Sequence, residues 1–151
     1  MSKLYVAYGS NLNIRQMKFR CPDATIWATG WLRNWKLVYR RSGSGSYASI
    51  IRSKGDSVPI VLWSISPEDE KNLDRYEGYP KFYIKQNVFV DTARGRKKGM
   101  VYIMNKYAVP GVPSDYYIDT IEEGYKDNGL DLAYLDESLY DNCRECRFSL
   151  A

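Results

Sequence analysis

The chain of 151 residues contains no histidine. That single absence removes imidazole acid–base catalysis, the usual serine and cysteine triads and histidine-based metal centres. Cysteine is scarce, with three residues, and only Cys143 and Cys146 stand close together. An odd count cannot pair fully, so the thiols read as reduced, and a lone C-x-x-C without histidine is half of a zinc site at most. No apolar run approaches the roughly 20 residues that span a bilayer, and Met1-Ser2-Lys3 leads straight into a strand pattern without a secretory leader. These features predict a cytoplasmic location and no contact with membrane. If the protein is an enzyme, a carboxylate, Lys, Tyr or Cys must move its protons.

What is present describes a globular chain: 44% hydrophobic residues, 15% aromatic, and a length that fits a single domain over residues 1–151. The formal net charge of +4 permits acidic partners. The dense basic run Arg94-Gly95-Arg96-Lys97-Lys98-Gly99 sits between two strand-like segments, 83–91 and 100–104. A solvated hairpin turn accounts for it, so a nucleic-acid partner is not the expectation.

Tyr8-Gly9-Ser10-Asn11-Leu12-Asn13 joins the apolar strand 4–8 to a helix over 14–20 that Asn13 can cap. Gly9 lets backbone approach a ligand, and the free N–H groups of the helix start, the Ser10 hydroxyl and the Asn11 amide can all donate. The same turn also reads as a well-capped connection that binds nothing. Further strands are predicted over 25–30, 35–41, 47–53 and 58–65, with Ser42 to Ser46 as a mobile loop inside the domain. Ser66 and Pro67 then start a helix to about Tyr76, stopped by Gly78. After the strands 83–91 and 100–104, Ser114 caps a helix to about Asp127, and a short helix covers 132–140. There is no evenly spaced strand–helix–strand repeat. The order predicts an α+β domain with a strongly curled or closed sheet and helices around it.

Leu73, Tyr76 and Glu77 fall at i, i+3 and i+4, which puts a carboxylate on one helix face with an apolar and an aromatic residue. A carboxylate at the rim of an apolar pocket has its charged form desolvated and its pKa raised toward neutrality, where it serves as a general base. A surface Glu77, or one paired with Lys81 or Arg75, is the competing reading.

Three segments in register, Tyr8 to Leu12, Leu73-Asp74-Arg75-Tyr76-Glu77-Gly78 and Pro113-Ser114-Asp115-Tyr116-Tyr117 with Ile121 and Gly124, resemble the γ-glutamylcyclotransferases. The likeness spans nearly the whole chain and includes the ending Asp127-Asn128-Gly129-Leu130. It implies an α+β fold built on a small mixed β-barrel with surrounding helices. It also implies a reaction: the α-amine of a γ-glutamyl compound attacks its own γ-carbonyl, releasing 5-oxoproline and a free amino acid or amine. By the same resemblance Glu77 is the catalytic acid–base, and Tyr8, Gly9, Ser10, Asn11 and Leu12 form the substrate loop. Tyr117 and Tyr83 contact substrate, although the segment 79–82 is about one residue shorter than in familiar members. Lactam formation needs neither redox chemistry nor metal, so no cofactor is expected. A small-molecule γ-glutamyl substrate is the expected partner, while the leaving amine and the oligomeric state stay open. The rival reading is a non-catalytic binding module of the same fold for a small carboxylate or RNA. A carboxylate in the pocket argues against it, because it adds nothing to anion binding.

Overall fold

A computed structural model describes residues 2–149. Five strands close into a barrel in the order β1-β3-β2-β4-β5: β1 (Lys3–Ala7), β2 (Thr25–Ser42), β3 (Gly45–Ile65), β4 (Tyr83–Thr92) and β5 (Gly95–Met104). All neighbours run antiparallel except β1 and β5, which meet in parallel at Tyr5 and Met100 and seal the barrel. Four helices accompany it: α1 (Ile14–Arg20), α2 (Pro67–Glu77), α3 (Asp115–Asp127) and α4 (Leu132–Ser149). The α+β barrel expected from the resemblance is therefore the observed fold.

The sequence pattern suggested four strands between residues 25 and 65; the chain makes two long ones. β2 and β3 form a single hairpin, and its register shifts near Asn34, where Arg33 pairs with Ser57 but Trp35 pairs with Arg52. Asn34 adopts a left-handed φ of 68° and its Oδ1 accepts the Gly55 N–H at 3.0 Å. The polar residues that looked like chain breaks are thus a bulge within continuous strands, which bends the sheet toward closure. The Ser42 to Ser46 tract, expected as a mobile loop inside the domain, is the tip of this hairpin. Ser42 pairs with Gly45, leaving a two-residue turn, the tightest connection a twisted hairpin allows.

The basic run falls where the pattern placed it, at the β4–β5 hairpin, with Thr92 paired to Gly95. Its arginines lie on aromatic faces, Arg94 3.7 Å from the Trp27 ring centroid and Arg96 4.6 Å from that of Phe89. Helix α4 runs past the expected end at Tyr140, because its last turns find partners. Asn142 Nδ2 donates to the Gly111 carbonyl at 2.9 Å, and Glu145 pairs with Arg40 at 2.8 Å.

Burial follows from closure. Val6, Ile60, Val61 and Leu62 are fully enclosed where β3 runs between β1 and β2, and Leu12, Leu73, Ile121 and Leu135 bring the flanking segments onto the same core. Helix α3 touches the chain so closely at Gly124 that a Cβ there would lie 2.7 Å from Asn13 N and from the Leu12 carbonyl carbon. A small residue at that point lets the helix press the loop into place. Among the described residues no helix is long and apolar enough to cross a membrane.

Candidate active site

Residues 8–12 leave β1 as a short 3-10 turn, Ser10–Leu12, before Asn13 caps α1 by accepting the Gln16 N–H at 3.0 Å. The Leu12 and Asn13 N–H groups are spent on the carbonyls of Gly9 and Ser10. Those of Gly9, Ser10 and Asn11 have no hydrogen-bond partner among the described residues. These three residues line a cavity of about 340 Å³, a size that suits a small ligand.

Opposite the turn stands the end of α2. A capping box between Ser66 and Asp69, with Pro67 at the first helical position, fixes where the helix begins. It stops at Glu77 because Gly78 takes a left-handed φ of 64°, and the Gly78 and Tyr79 N–H groups bond back to the carbonyls of Arg75 and Asp74. The last side chain before the stop, Glu77, lines the cavity. It is half-buried, and among the described residues it has neither a hydrogen-bond nor an ion-pair partner. The pairing with Lys81 or Arg75 considered above does not form. Burial pushes its carboxyl up to about 7, against the weaker pull of the Arg20 guanidinium.

The cavity wall is phenolic rather than aliphatic. Tyr8 donates to the Tyr102 carbonyl at 2.7 Å, and Tyr83 to the Ala48 carbonyl at 2.8 Å. Tyr117 accepts the Ala48 N–H at 3.0 Å. Burial raises the pKa of Tyr5, Tyr8, Tyr83, Tyr102 and Tyr117, and the Glu77 charge adds to the rise in each. They remain neutral hydrogen-bonding groups around one carboxyl.

Most sequence-derived candidates therefore converge: Tyr8, Gly9, Ser10, Asn11, Glu77, Tyr83 and Tyr117 all line this cavity. Leu12 does not. Its side chain is fully buried in the core beneath α3, and its N–H is used inside the turn. Asn11 faces the cavity, but its side-chain amide is committed, donating to Tyr5 Oη at 2.9 Å and accepting from Arg20. Tyr76, on the Glu77 face, lines the space as well, as do Tyr5, Tyr47, Phe82, Tyr102 and Ala48, which the sequence pattern does not single out as site residues. Tyr5 carried a signal, since it sits on the strand that feeds the turn. Ala48 carried none, because its hydrogen bonds to the site are made by its peptide groups.

An amide-bearing turn and a near-neutral carboxyl that line one cavity can bind a small ligand and exchange a proton with it. Comparison with known proteins makes this specific: the gamma-glutamyl cyclotransferase, AIG2-like family matches residues 5–124. The chain belongs to that family and is an enzyme of the γ-glutamylcyclotransferase class. It is 34% identical to gamma-glutamylcyclotransferase of Bos taurus over 143 residues, covering 88% of this chain and 75% of the bovine one. With the Homo sapiens protein of the same name the identity is 33% over 145 residues, covering 90% and 77%. A solved gamma-glutamyl cyclotransferase structure superposes with a TM-score of 0.81 at 32% identity, covering 91% of this chain and 86% of the other.

Proposed function

We propose that the protein converts a γ-glutamyl amino acid or γ-glutamylamine into 5-oxoproline and the free amino acid or amine, with Glu77 as the general base and then the general acid. The observation that carries this reading is a carboxyl whose pKa burial raises to about 7, lining the same cavity as three amides that have no hydrogen-bond partner among the described residues. Glu77 takes a proton from the substrate's α-ammonium, and the freed amine attacks the γ-carbonyl carbon. The N–C bond of the lactam forms, the bond to the leaving nitrogen breaks, and the two protons shed by the attacking nitrogen end on the departing amine. A single carboxylate can serve both nitrogens because ring closure brings them together. The N–H groups of Gly9, Ser10 and Asn11 hold the glutamyl moiety and the negative charge that develops on the attacked carbonyl oxygen. Tyr8, Tyr83 and Tyr117 shape the pocket and present hydroxyls to the substrate.

The test is 5-oxoproline release from a panel of γ-glutamyl amino acids, γ-glutamylamines and glutathione, comparing the wild type with Glu77→Gln. The amide keeps the shape of the side chain but cannot accept a proton, so turnover should fall by about a thousandfold or more while much of the substrate binding persists. Turnover near the wild-type rate in Glu77→Gln refutes the assignment.

A further inference from the structure

Arg20, the last residue of α1, lies outside the cavity yet touches both of its halves. Its guanidinium sits 3.5 Å from the ring centroid of Tyr76, the neighbour of Glu77 on α2, and donates to Asn11 Oδ1 in the amide turn. Asn11 is pinned from two other directions, by its own bond to Tyr5 Oη and by the Trp63 indole N–H, which donates to the Asn11 carbonyl at 3.0 Å. Tyr76 in turn brings its hydroxyl to 3.4 Å from Ser10 Oγ. The turn and the helix end are far apart in sequence, and these contacts are where they meet.

We propose that Arg20 is a positioning residue that clasps the amide turn to the Glu77 end of α2, so that the substrate's carbonyl and its ammonium are held in one register. This rests on the reading of Glu77 as the base. A planar guanidinium suits the task, because it can stack on a ring and donate within its own plane at once, which an ammonium cannot do. Arg20 is also the charge that acts on Glu77. The groups facing that carboxyl from other elements are the neutral phenols of Tyr5, Tyr8, Tyr83, Tyr102 and Tyr117. Arg75 lines the cavity mouth but donates to Asn72 Oδ1. A second α1–α2 bond, from Asn72 Nδ2 to the Arg20 carbonyl at 3.0 Å, does not involve the guanidinium and supplies a control.

The experiment compares Arg20→Gln, Arg20→Lys and Asn72→Ala by two readouts: the pH profile of 5-oxoproline release, and a carbon NMR titration of the Glu77 carboxyl, which needs no turnover. In Arg20→Gln the Glu77 midpoint and the acid limb of kcat/KM should both move up by about half a pH unit or more, with at least about a tenfold loss of kcat/KM at neutral pH. Arg20→Lys retains the charge, so the midpoint should stay near that of the wild type while KM rises several-fold, roughly as expected for a lost stacked fork. Asn72→Ala should lower thermal stability and, because it also releases Arg75 from Asn72 Oδ1, can move the midpoint only downward, opposite to Arg20→Gln. A midpoint unmoved in Arg20→Gln, or a loss of activity no greater than in Asn72→Ala, overturns the proposal. If Arg20→Gln does not fold, an unchanged KM in Arg20→Lys overturns it instead. Absence of 5-oxoproline release by the wild type would sink the proposed reaction, while the NMR titration would still decide the role of Arg20.

Discussion

Tyr117 on α3 accepts the Ala48 N–H of β3 at 3.0 Å, and so ties a helix to a strand across the wall of the cavity. The same peptide segment offers its carbonyl to Tyr83 at 2.8 Å, so two of the tyrosines implied by the resemblance are held by one alanine. Because its lone pair is engaged by the amide, the Tyr117 hydroxyl has its proton left to donate. Tyr117→Phe should therefore cost about 1–2 kcal/mol of stability, for an amide left unsatisfied in a half-dry wall. It should also lower kcat/KM by roughly tenfold through the lost donor. Urea denaturation and steady-state kinetics check the two effects separately. A variant equal to the wild type in both would remove Tyr117 from the site.

Much of this site was legible because its parts are local in sequence. The amide turn needs only a strand, a glycine and the Asn13 cap, and the position of Glu77 needs only the Ser66-Pro67 start and the Gly78 stop. Each device works within one turn of backbone, so composition reveals it. Leu12 shows where that logic fails. It shares the motif, but the 3-10 turn rotates it into the core under Gly124, a contact made by a helix from the other end of the chain. Ala48 and Arg20 were invisible for a related reason: one acts through peptide groups, and the other through a ring and an amide brought to it by folding. In sequence the β2–β3 hairpin reads as four strands because a bulge and a break use the same residues, and only pairing across the sheet distinguishes them.

The contact of Gly124 with the turn yields a second prediction. An alanine methyl there would meet Asn13 N and the Leu12 carbonyl carbon at 2.7 Å, and both are backbone atoms that no rotamer change can move aside. The helix or the turn must shift. Overpacking of this kind costs about 1–3 kcal/mol, and the displaced turn carries the amides of the site. Gly124→Ala should thus lose stability in thermal or urea melts and lose 5-oxoproline release beyond what the remaining folded fraction explains. Full activity per folded molecule would show that the turn tolerates movement.

On the proposed mechanism, Glu77 links activity to stability in opposite senses. Its carboxyl titrates near 4.5 in the unfolded chain and near 7 in the folded one, because burial disfavours its charge. Between those values the folded state binds the proton more tightly. The associated stabilisation is fully present below about pH 4.5 and is lost as the pH rises through 7. Above that point the ionised carboxylate, without a partner among the described residues, weighs against folding by about 2–3 kcal/mol. Glutamine cannot ionise, and any fixed cost of placing its amide in the cavity is independent of pH. Relative to the wild type, Glu77→Gln should therefore become more stable by about 2–3 kcal/mol between acid and mildly alkaline pH, even as it loses turnover. Urea denaturation of both proteins at pH 4.5 and pH 8 measures the change. A stability difference identical at the two values would mean that the carboxyl titrates in the fold as it does in the unfolded chain, and would leave it without the near-neutral pKa that a general base requires here.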